Sequence, residues 1–290
     1  MYDNKNTTTK KISIIIPHYN DFNGLTTLLE SIPNIDAIQI IIVDDHSSIG
    51  FEDFTKHIAE LNRNNVETYL NTGDRSAGSC RNIGLKYARG EWVLFADSDD
   101  YYVNDAFDTI MELCKQKEDI IYFKPTSIIL PDGIPGNRNI SYEKMLLNYL
   151  ICKEKNTEII LKSGFIVPWS KMYRRKFLAE NNIMFENVRW SNDVMFSVRS
   201  AFSAKNILAI DKEIYCVTRK KGSLTTQKNK EEYRTRCEVY IRKYLFLENL
   251  LSKKELKYAV SAPIGKIFKA LSQGYGLNMA KYLVHRYHEE

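Results

Sequence analysis

Short apolar runs alternate with amphipathic segments along the first hundred residues. The apolar runs are rich in β-branched or aromatic residues, are too short for helices, and occupy 11–16, 39–43, 66–70 and 92–96. The segments between them place leucine, isoleucine and phenylalanine at helical spacing, in 25–32, 51–61 and 83–88. Strands alternating with helices predict an α/β fold, with a mostly parallel sheet and helices on both of its faces.

The pattern becomes less regular after residue 105. We predict a helix near 105–117, a strand near 120–123 and a loop rich in proline and glycine at 131–137. Beyond about residue 228 the hydrophobic spacing is helical, which predicts a helical C-terminal extension.

Composition restricts the class of protein. A chain of 290 residues with 44% hydrophobic content can bury a large core. Its five cysteines are widely spaced without a CxxC pair, which favours free thiols in a reducing compartment over disulfides or a zinc site. The N-terminal residues are polar, and no run approaches the roughly 20 apolar residues that a membrane-spanning helix needs. We therefore predict a cytoplasmic protein.

The positive charge is concentrated at the C-terminal end. Residues 219–290 hold 16 lysines and arginines against 7 aspartates and glutamates. These basic residues are interleaved with apolar residues at helical spacing, so two interpretations are open. The extension, 229–290, lies on an anionic membrane surface at the inner face of the cell membrane, or its apolar stripe packs on the rest of the chain or on a second copy.

Polar clusters follow the predicted strands, where ligands of parallel sheets bind. The cluster after the first strand, PHYN at 17–20, lacks the glycines of a GxGxxG loop, which disfavours a dinucleotide site. Asp44 and Asp45 follow the second strand and suit either a ribose or base contact or a helix cap. Arg81, near a predicted helix start, suits either phosphate oxygens or a surface salt bridge.

The strongest chemical signal is the acidic turn after the fourth strand. Asp97, Asp99 and Asp100 lie within four residues, where their mutual repulsion would be costly without a cation. Hard oxygen ligands favour Mn²⁺ or Mg²⁺. The alternative interpretation is an acidic turn without a ligand.

Several of these motifs together resemble those of family 2 glycosyltransferases of the GT-A fold. The series, similar in order and spacing over roughly residues 11–225, consists of IIIPHYN, IIVDDHSS, RNIGL, GEWVLFADSDD, PWSKMYRRKFL and WSNDVMF. The resemblance implies a Rossmann-like sheet, a metal site and inversion at the anomeric carbon. It assigns donor binding to 1–104, and acceptor binding with the catalytic base to 105–228.

Site residues follow by position from the resemblance. Tyr19 is expected to pack on the nucleotide base, Asp45 to contact the base or ribose, and Asp99 to bind the metal together with Asp97. The other residues expected to bind or support the donor are Pro17, Asp44, Arg81, Asp97, Asp100, Trp169, Lys171 and Arg219. Trp169 and Lys171 have the alternative roles of core and surface residues, and Arg219 is expected to lie in a flexible segment that closes over the diphosphate.

Asp193 is expected to be the catalytic base. The family usually carries Glu-Asp at this point, and this chain has Asn192 before Asp193. An acceptor hydroxyl becomes a good nucleophile only when a carboxylate takes its proton. The alternative is that residues 191–193 cap the helix that follows them.

The resulting functional hypothesis is metal-dependent transfer of a sugar from a nucleoside-diphosphate sugar, with a UDP-sugar favoured, to a glycan or lipid-linked glycan in surface polysaccharide synthesis. We predict no nucleic-acid partner, and a homo-oligomer is compatible with the sequence. One alternative is an inactive donor-binding or scaffold subunit, which the Asn192 departure would suit. Another is a sugar-phosphate nucleotidyltransferase, which is disfavoured because no glycine-rich phosphate loop follows the first strand.

Overall fold

The four apolar runs form the parallel half of a mixed sheet, as predicted. In the computed structural model, which describes residues 10–220, 230–260, 281, 284 and 285, these strands are β1 Ile12–His18, β2 Ile38–Asp44, β3 Val66–Leu70 and β4 Trp92–Phe95. They pair in the order β3-β2-β1-β4, and each pairing is parallel. Every residue of β2 and of β4 is buried, which explains why these strands read as unbroken apolar runs.

Three helices connect these strands and cover the sheet. They are α1 Phe22–Glu30, α2 Phe51–Glu60 and α3 Ala77–Tyr87. The apolar face of α1 buries Leu25, Leu28 and Leu29. Helix α3 approaches β1 so closely that a Cβ atom added at Gly84 would collide with the Ile15 side chain.

The sheet continues without interruption into the second part of the chain. Its later strands are β5 Tyr101–Tyr102, β6 Ile120–Leu130, β7 Ile134–Pro135, β8 Lys171–Arg174 and β9 Ile207–Lys220. Strand β8 lies antiparallel between β4 and β6, and β9 pairs in parallel with β6. Within the described ranges the strand order is β3-β2-β1-β4-β8-β6-β9-β5, with β7 paired to β6.

The second part also contributes five helices. These are α4 Ala106–Leu113, α5 Ile140–Ile151, α6 Lys155–Gly164, α7 Arg175–Glu180 and α8 Asn192–Ser203. The helix predicted near 105–117 corresponds to α4. The strand predicted at 120–123 extends to Leu130, and the predicted loop at 131–137 contains β7, which folds back on β6.

The C-terminal extension begins with α9 Lys230–Leu250 and α10 Lys253–Ala259. Helix α9 packs against α8, while α10 packs against α6 and α9. The residues that α9 buries include Cys237, Val239, Ile241 and Leu247, so this part of the apolar stripe is used in packing. No helix among the described residues combines the length and apolarity needed to cross a membrane.

Candidate active site

The carboxyl ends of the parallel strands meet at one edge of the sheet and form a cleft. Because β1, β2 and β4 run in the same direction, the residues after them, including Tyr19, Asp45 and Asp97, are brought to this edge. A cavity of about 420 Å³ is lined by Tyr19, Asp45, Arg75, Ser76, Ala77, Arg189 and Trp190. Two of these residues, Tyr19 and Asp45, were predicted from sequence.

One wall of the cavity combines an aromatic ring with a carboxylate. Tyr19 is 52% exposed, and the Arg75 guanidinium lies 5.0 Å from the centre of its ring. Asp45 accepts a hydrogen bond from Asn71 Nδ2 at 2.6 Å, and Arg75 donates to the Asp45 carbonyl at 3.1 Å. An accessible ring beside an oriented carboxylate suits a planar base together with a hydroxyl or N–H donor.

Asp44 lies beneath this wall. Its Oδ1 is 2.9 Å from His18 Nδ1 and accepts a hydrogen bond from the Ser47 hydroxyl at 2.5 Å, and the side chain is fully buried. Burial would raise the pKa of Asp44, but the hydrogen bonds with His18 and Ser47 outweigh it and lower the pKa overall. Asp44 therefore supports the loop that carries Asp45, which corrects the expectation of a donor contact. Pro17 lies within β1, half-buried and opposite Val43 of β2.

Strand β9 fixes the acidic turn. The Tyr215 hydroxyl accepts a hydrogen bond from the Asp97 N–H at 2.8 Å and donates to Asp100 Oδ2 at 2.9 Å. Thr218 donates from its N–H to Asp100 Oδ1 at 2.7 Å and from its hydroxyl to the Asp99 carbonyl at 2.6 Å. Asp100, 2% exposed, is committed to these contacts and so holds the turn from beneath, which agrees with the supporting role among its expected roles. Tyr215 and Thr218 were not predicted as site residues because they occur in a strand without a motif.

The two remaining carboxylates of the turn stay accessible to solvent, since the Asp97 side chain is 32% exposed and Asp99 is exposed as well. Asp99 is exposed, yet the surrounding protein partly desolvates its carboxylate and, with the charge of Asp97 nearby, raises its pKa. In the described part of the chain no three His, Cys, Asp or Glu side chains form a group that could hold a metal ion. Two carboxylates with unfavourable mutual charge fit a divalent cation whose remaining ligands are substrate phosphates and water. Asp97 and Asp99 are thus the residues that could hold one.

Arg81 links this turn to helix α8. Its Nη2 donates to Asp97 Oδ1 at 2.5 Å, and its Nη1 donates to Asn192 Oδ1 at 2.9 Å. With 5% of its surface exposed, Arg81 bridges the two parts of the chain, and its expected donor contact stays a prediction. Asn192, the departure from the family pattern, still supplies the oxygen that accepts from Arg81.

Asp193 occupies the first turn of α8 beside this bridge. Ser191, at the N-cap position, has a left-handed φ of 59° and makes no side-chain capping hydrogen bond, so the capping alternative lacks its main contact. Burial raises the pKa of Asp193, the Arg81 guanidinium opposes this rise, and the Asp97 carboxylate adds to it. Asp193 therefore shares the electrostatic environment of Arg81 and the acidic turn.

Trp169 and Lys171 lie in the core behind the site. Lys171 is 1% exposed, its Nζ donates to the Phe165 carbonyl at 2.6 Å, and burial holds its pKa well below the usual value. Trp169 is 3% exposed and stacks on Tyr215, with ring centres 5.9 Å apart. Neither reaches the cleft surface, which corrects the expected donor contacts and the surface alternative for Lys171. The core alternative for Trp169 is confirmed.

Arg219 is exposed near the end of β9, opposite Ile129 of β6. The segment expected to close over the diphosphate continues into 221–229, which lies outside the described residues.

Comparisons with known proteins identify the family of this chain. The sequence model of Glycosyl transferase family 2 matches residues 13–181. Poly(ribitol-phosphate) beta-N-acetylglucosaminyltransferase TarS of Staphylococcus aureus is 29% identical over 225 residues, which cover 73% of this chain and 36% of TarS. The chain thus spans about a third of the length of this relative.

Two solved structures share the fold. The crystal structure of S. aureus TarS 1-349 in complex with UDP-GlcNAc has a TM-score of 0.68 and 24% identity, covering 95% of this chain and 79% of that one. The mannosyltransferase PcManGT from Pyrobaculum calidifontis, in complex with GDP-Man and Mn²⁺, has a TM-score of 0.57 and 14% identity, covering 96% and 80%. Since the family match extends over more than half of the chain, this protein belongs to glycosyl transferase family 2.

Proposed function

We propose that this protein is an inverting glycosyltransferase that uses a nucleoside-diphosphate sugar, with a UDP-sugar favoured. The observation that carries the proposal is the Arg81 bridge, because it brings the acidic turn of the donor side and the carboxylate-bearing helix α8 into one site. The structure of TarS with UDP-GlcNAc supports the choice of donor. The names of the relatives, which include poly(ribitol-phosphate) transferases and a minor teichoic acid biosynthesis protein, support a polymer as the acceptor.

Asp193 is the proposed base. Its carboxylate takes the proton of the acceptor hydroxyl as the hydroxyl oxygen attacks the anomeric carbon, and the bond from that carbon to the diphosphate oxygen breaks on the opposite face. The configuration at this carbon therefore inverts. Desolvation raises the pKa of Asp193, which makes the carboxylate a stronger proton acceptor, while the Arg81 guanidinium opposes this rise.

The other residues hold the donor or the site geometry. Tyr19 and Asp45 orient the nucleotide in the cavity, while Tyr215 and Thr218 fix the acidic turn at the position where the diphosphate is expected. A Mn²⁺ or Mg²⁺ ion on Asp97 and Asp99 would stabilise the negative charge of the departing diphosphate.

The inactive scaffold remains a second candidate because Asn192 replaces a usual glutamate. It is disfavoured by the retained Asp193 carboxylate and by the hydrogen bond that Asn192 makes with Arg81. A nucleotidyltransferase is disfavoured because the turn after β1 contains Tyr19 and Asn20 where a glycine-rich loop would be needed.

The deciding experiment is Asp193→Asn in the full chain. Release of the nucleoside diphosphate is measured with a panel of UDP-, GDP- and dTDP-sugars, Mn²⁺ and polyol or glycan acceptors, and donor affinity is measured by calorimetry. We expect turnover to fall roughly 100-fold or more, with donor affinity nearly unchanged, as loss of a general base predicts.

The matched control is Asp36→Asn, which neutralises an exposed carboxylate in the loop before β2. It should leave turnover unchanged. Near-native turnover in Asp193→Asn would remove Asp193 from the chemistry, and donor binding without transfer by the wild-type chain to any acceptor would favour the scaffold.

A further inference from the structure

The segment 185–191, which leads directly into α8 and Asp193, is held on one side by α3. Asn82 donates from Nδ2 to the Phe185 carbonyl at 3.0 Å and accepts at Oδ1 from the Phe185 N–H at 2.9 Å. At Gly78 the backbone of α3 comes so close that an added Cβ atom would lie 2.8 Å from the Glu186 carbonyl oxygen. The donor side of the site thus fixes the start of this segment.

The C-terminal helix α9 holds the same segment on the other side. Arg242 Nε donates to Glu186 Oε1 at 3.1 Å, and Arg242 Nη2 donates to Glu186 Oε2 at 3.0 Å. The two side chains are only 23% and 15% exposed. Such a two-bond guanidinium–carboxylate contact fixes orientation as well as distance, and partial burial limits its screening by salt.

The other arginines of α9 form a different kind of ion pair. Arg236 bonds to Glu232 and Arg234 to Glu238, each within α9 itself, and both arginine side chains are about half exposed. Ion pairs within one helix stabilise that helix slightly and do not hold the neighbouring segments of the protein. Arg242 differs because its carboxylate belongs to the segment before the catalytic helix.

We propose that Arg242 is a positioning residue, which holds the 185–191 segment through Glu186 and thereby fixes Asp193 in the site. The C-terminal extension is then part of the catalytic unit. The role of Asp193 rests on the function proposed above, whereas the effect of Arg242 on the segment does not.

The ion pair is not needed to attach α9 to the rest of the protein, because the helix also has a buried apolar face. Cys237, Val239, Ile241 and Leu247 are buried and keep α9 in place without the ion pair. Removal of Arg242 should therefore loosen the 185–191 segment while α9 stays folded.

Hydrogen-exchange mass spectrometry of the full chain tests the proposal. Arg242→Ala and Glu186→Gln should each speed exchange about tenfold in peptides covering 185–193, with α9 peptides unchanged. Arg236→Ala, the matched control on the same helix, should leave 185–193 at the wild-type rate. The charge exchange Arg242→Glu with Glu186→Arg should restore much of the protection.

Turnover supplies the second measurement. Arg242→Ala should lower kcat about tenfold because the base is displaced. Donor affinity should change less, because Tyr19, Asp45 and Arg75 lie outside the loosened segment and only Arg189 and Trp190 of the cavity wall belong to it. Unchanged exchange in 185–193 for both Arg242→Ala and Glu186→Gln would overturn the proposal. Faster exchange throughout α9 would also overturn it, because the ion pair would then merely attach the helix. Faster exchange confined to 185–193, combined with native turnover in Asp193→Asn, would uphold the positioning of the segment and refute the proposed base.

Discussion

The Lys171 amine is buried among aromatic rings in the core behind the site. Its Nζ lies 4.5 Å from the centre of the Phe165 ring and 4.9 Å from that of Tyr122. One carbonyl, that of Phe165, accepts its hydrogen bond. Burial disfavours the charged form and lowers the pKa well below 10.5, although the Asp193 carboxylate partly opposes this.

This burial predicts a pH dependence of stability. Between the lowered pKa and about 10.5, the unfolded chain binds a proton at Lys171 that the folded chain does not, so the free energy of unfolding rises with pH across this window. Lys171→Met should remove that contribution and give a shallower rise. Urea unfolding of both proteins between about pH 7 and 9 avoids tyrosine ionisation near 10.

Lys212→Met, at an exposed position of β9, is the control and should keep the wild-type slope. If the free energy of unfolding rises equally with pH in wild type and in Lys171→Met, Lys171 has the same pKa in the folded and the unfolded chain.

The acidic turn predicts metal dependence. The negative charges of Asp97 and Asp99 repel each other when both carboxylates are ionised, and a bound divalent cation would offset this repulsion. We expect excess chelator to abolish transfer, Mn²⁺ or Mg²⁺ to restore it, and Asp99→Asn to need a higher metal concentration. Metal titration of transfer measures all three effects, and full activity in excess chelator would refute the metal site.

The sequence could predict which residues meet in the site where those residues directly follow parallel strands. Tyr19 and Asp45 follow predicted parallel strands, so their convergence was expected and is found. Sequence spacing could not distinguish Asp44 from Asp45, because only the fold shows which carboxylate is paired with His18 beneath the surface. The pairing of Arg242 with Glu186 joins elements 56 residues apart and leaves no local signal.

At the scale of elements, a strand could be predicted from the sequence when its residues are uniformly buried and apolar. The strands β1, β2 and β4 are nearly continuous apolar runs because both faces of the sheet are covered there, whereas β3 is only partly buried. Strand β8 was missed because its four residues, KMYR, include two charged side chains, and the burial of Lys171 contradicts the usual exposure of lysine. Strand β5, with two residues, is too short for any periodicity.

Because α3 lies close against β1, adding one methyl group to α3 at Gly84 should lower the stability of the fold. At Gly84 an added Cβ would collide with the fully buried Ile15, whose neighbours in the sheet leave it no space to move. Gly84→Ala should therefore destabilise the fold by about 1–3 kcal/mol, despite the better helix propensity of alanine.

Thermal and urea unfolding measure this effect against Lys86→Ala, an exposed site on the same helix, which should change stability by less than about 0.5 kcal/mol. A stability gain in Gly84→Ala would show that α3 sits further from the sheet than described.

At the scale of the whole molecule, the two described helices of the extension present different surfaces. Helix α9 packs against α8, and its arginines 234, 236 and 242 pair with glutamates. This supports the packing interpretation for α9. Helix α10 instead exposes Lys253, Lys254 and Lys257 beside Tyr258, which is 42% exposed. Two further basic residues of the extension, Lys266 and Lys269, lie outside the described residues.

The membrane interpretation therefore concentrates on α10. Each basic residue at an anionic bilayer contributes about 1 kcal/mol, so reversing three lysines should lower vesicle affinity on the order of a hundredfold or more at low salt. Co-sedimentation with vesicles containing phosphatidylglycerol should show this loss for Lys253→Glu with Lys254→Glu and Lys257→Glu. Arg236→Ala should bind like wild type, because that arginine is paired within α9.

The test uses full-length protein because removal of the extension would expose the apolar surface of α8 that α9 covers. Equal binding of the triple variant and wild type would place the membrane contact elsewhere on the chain. If wild-type protein does not bind anionic vesicles even at low salt, where attraction is least screened, α10 has no membrane role. Its lysines would then serve solubility or assembly, and within the described part of the extension α9 would be the helix that acts on the site, through the segment that leads to Asp193.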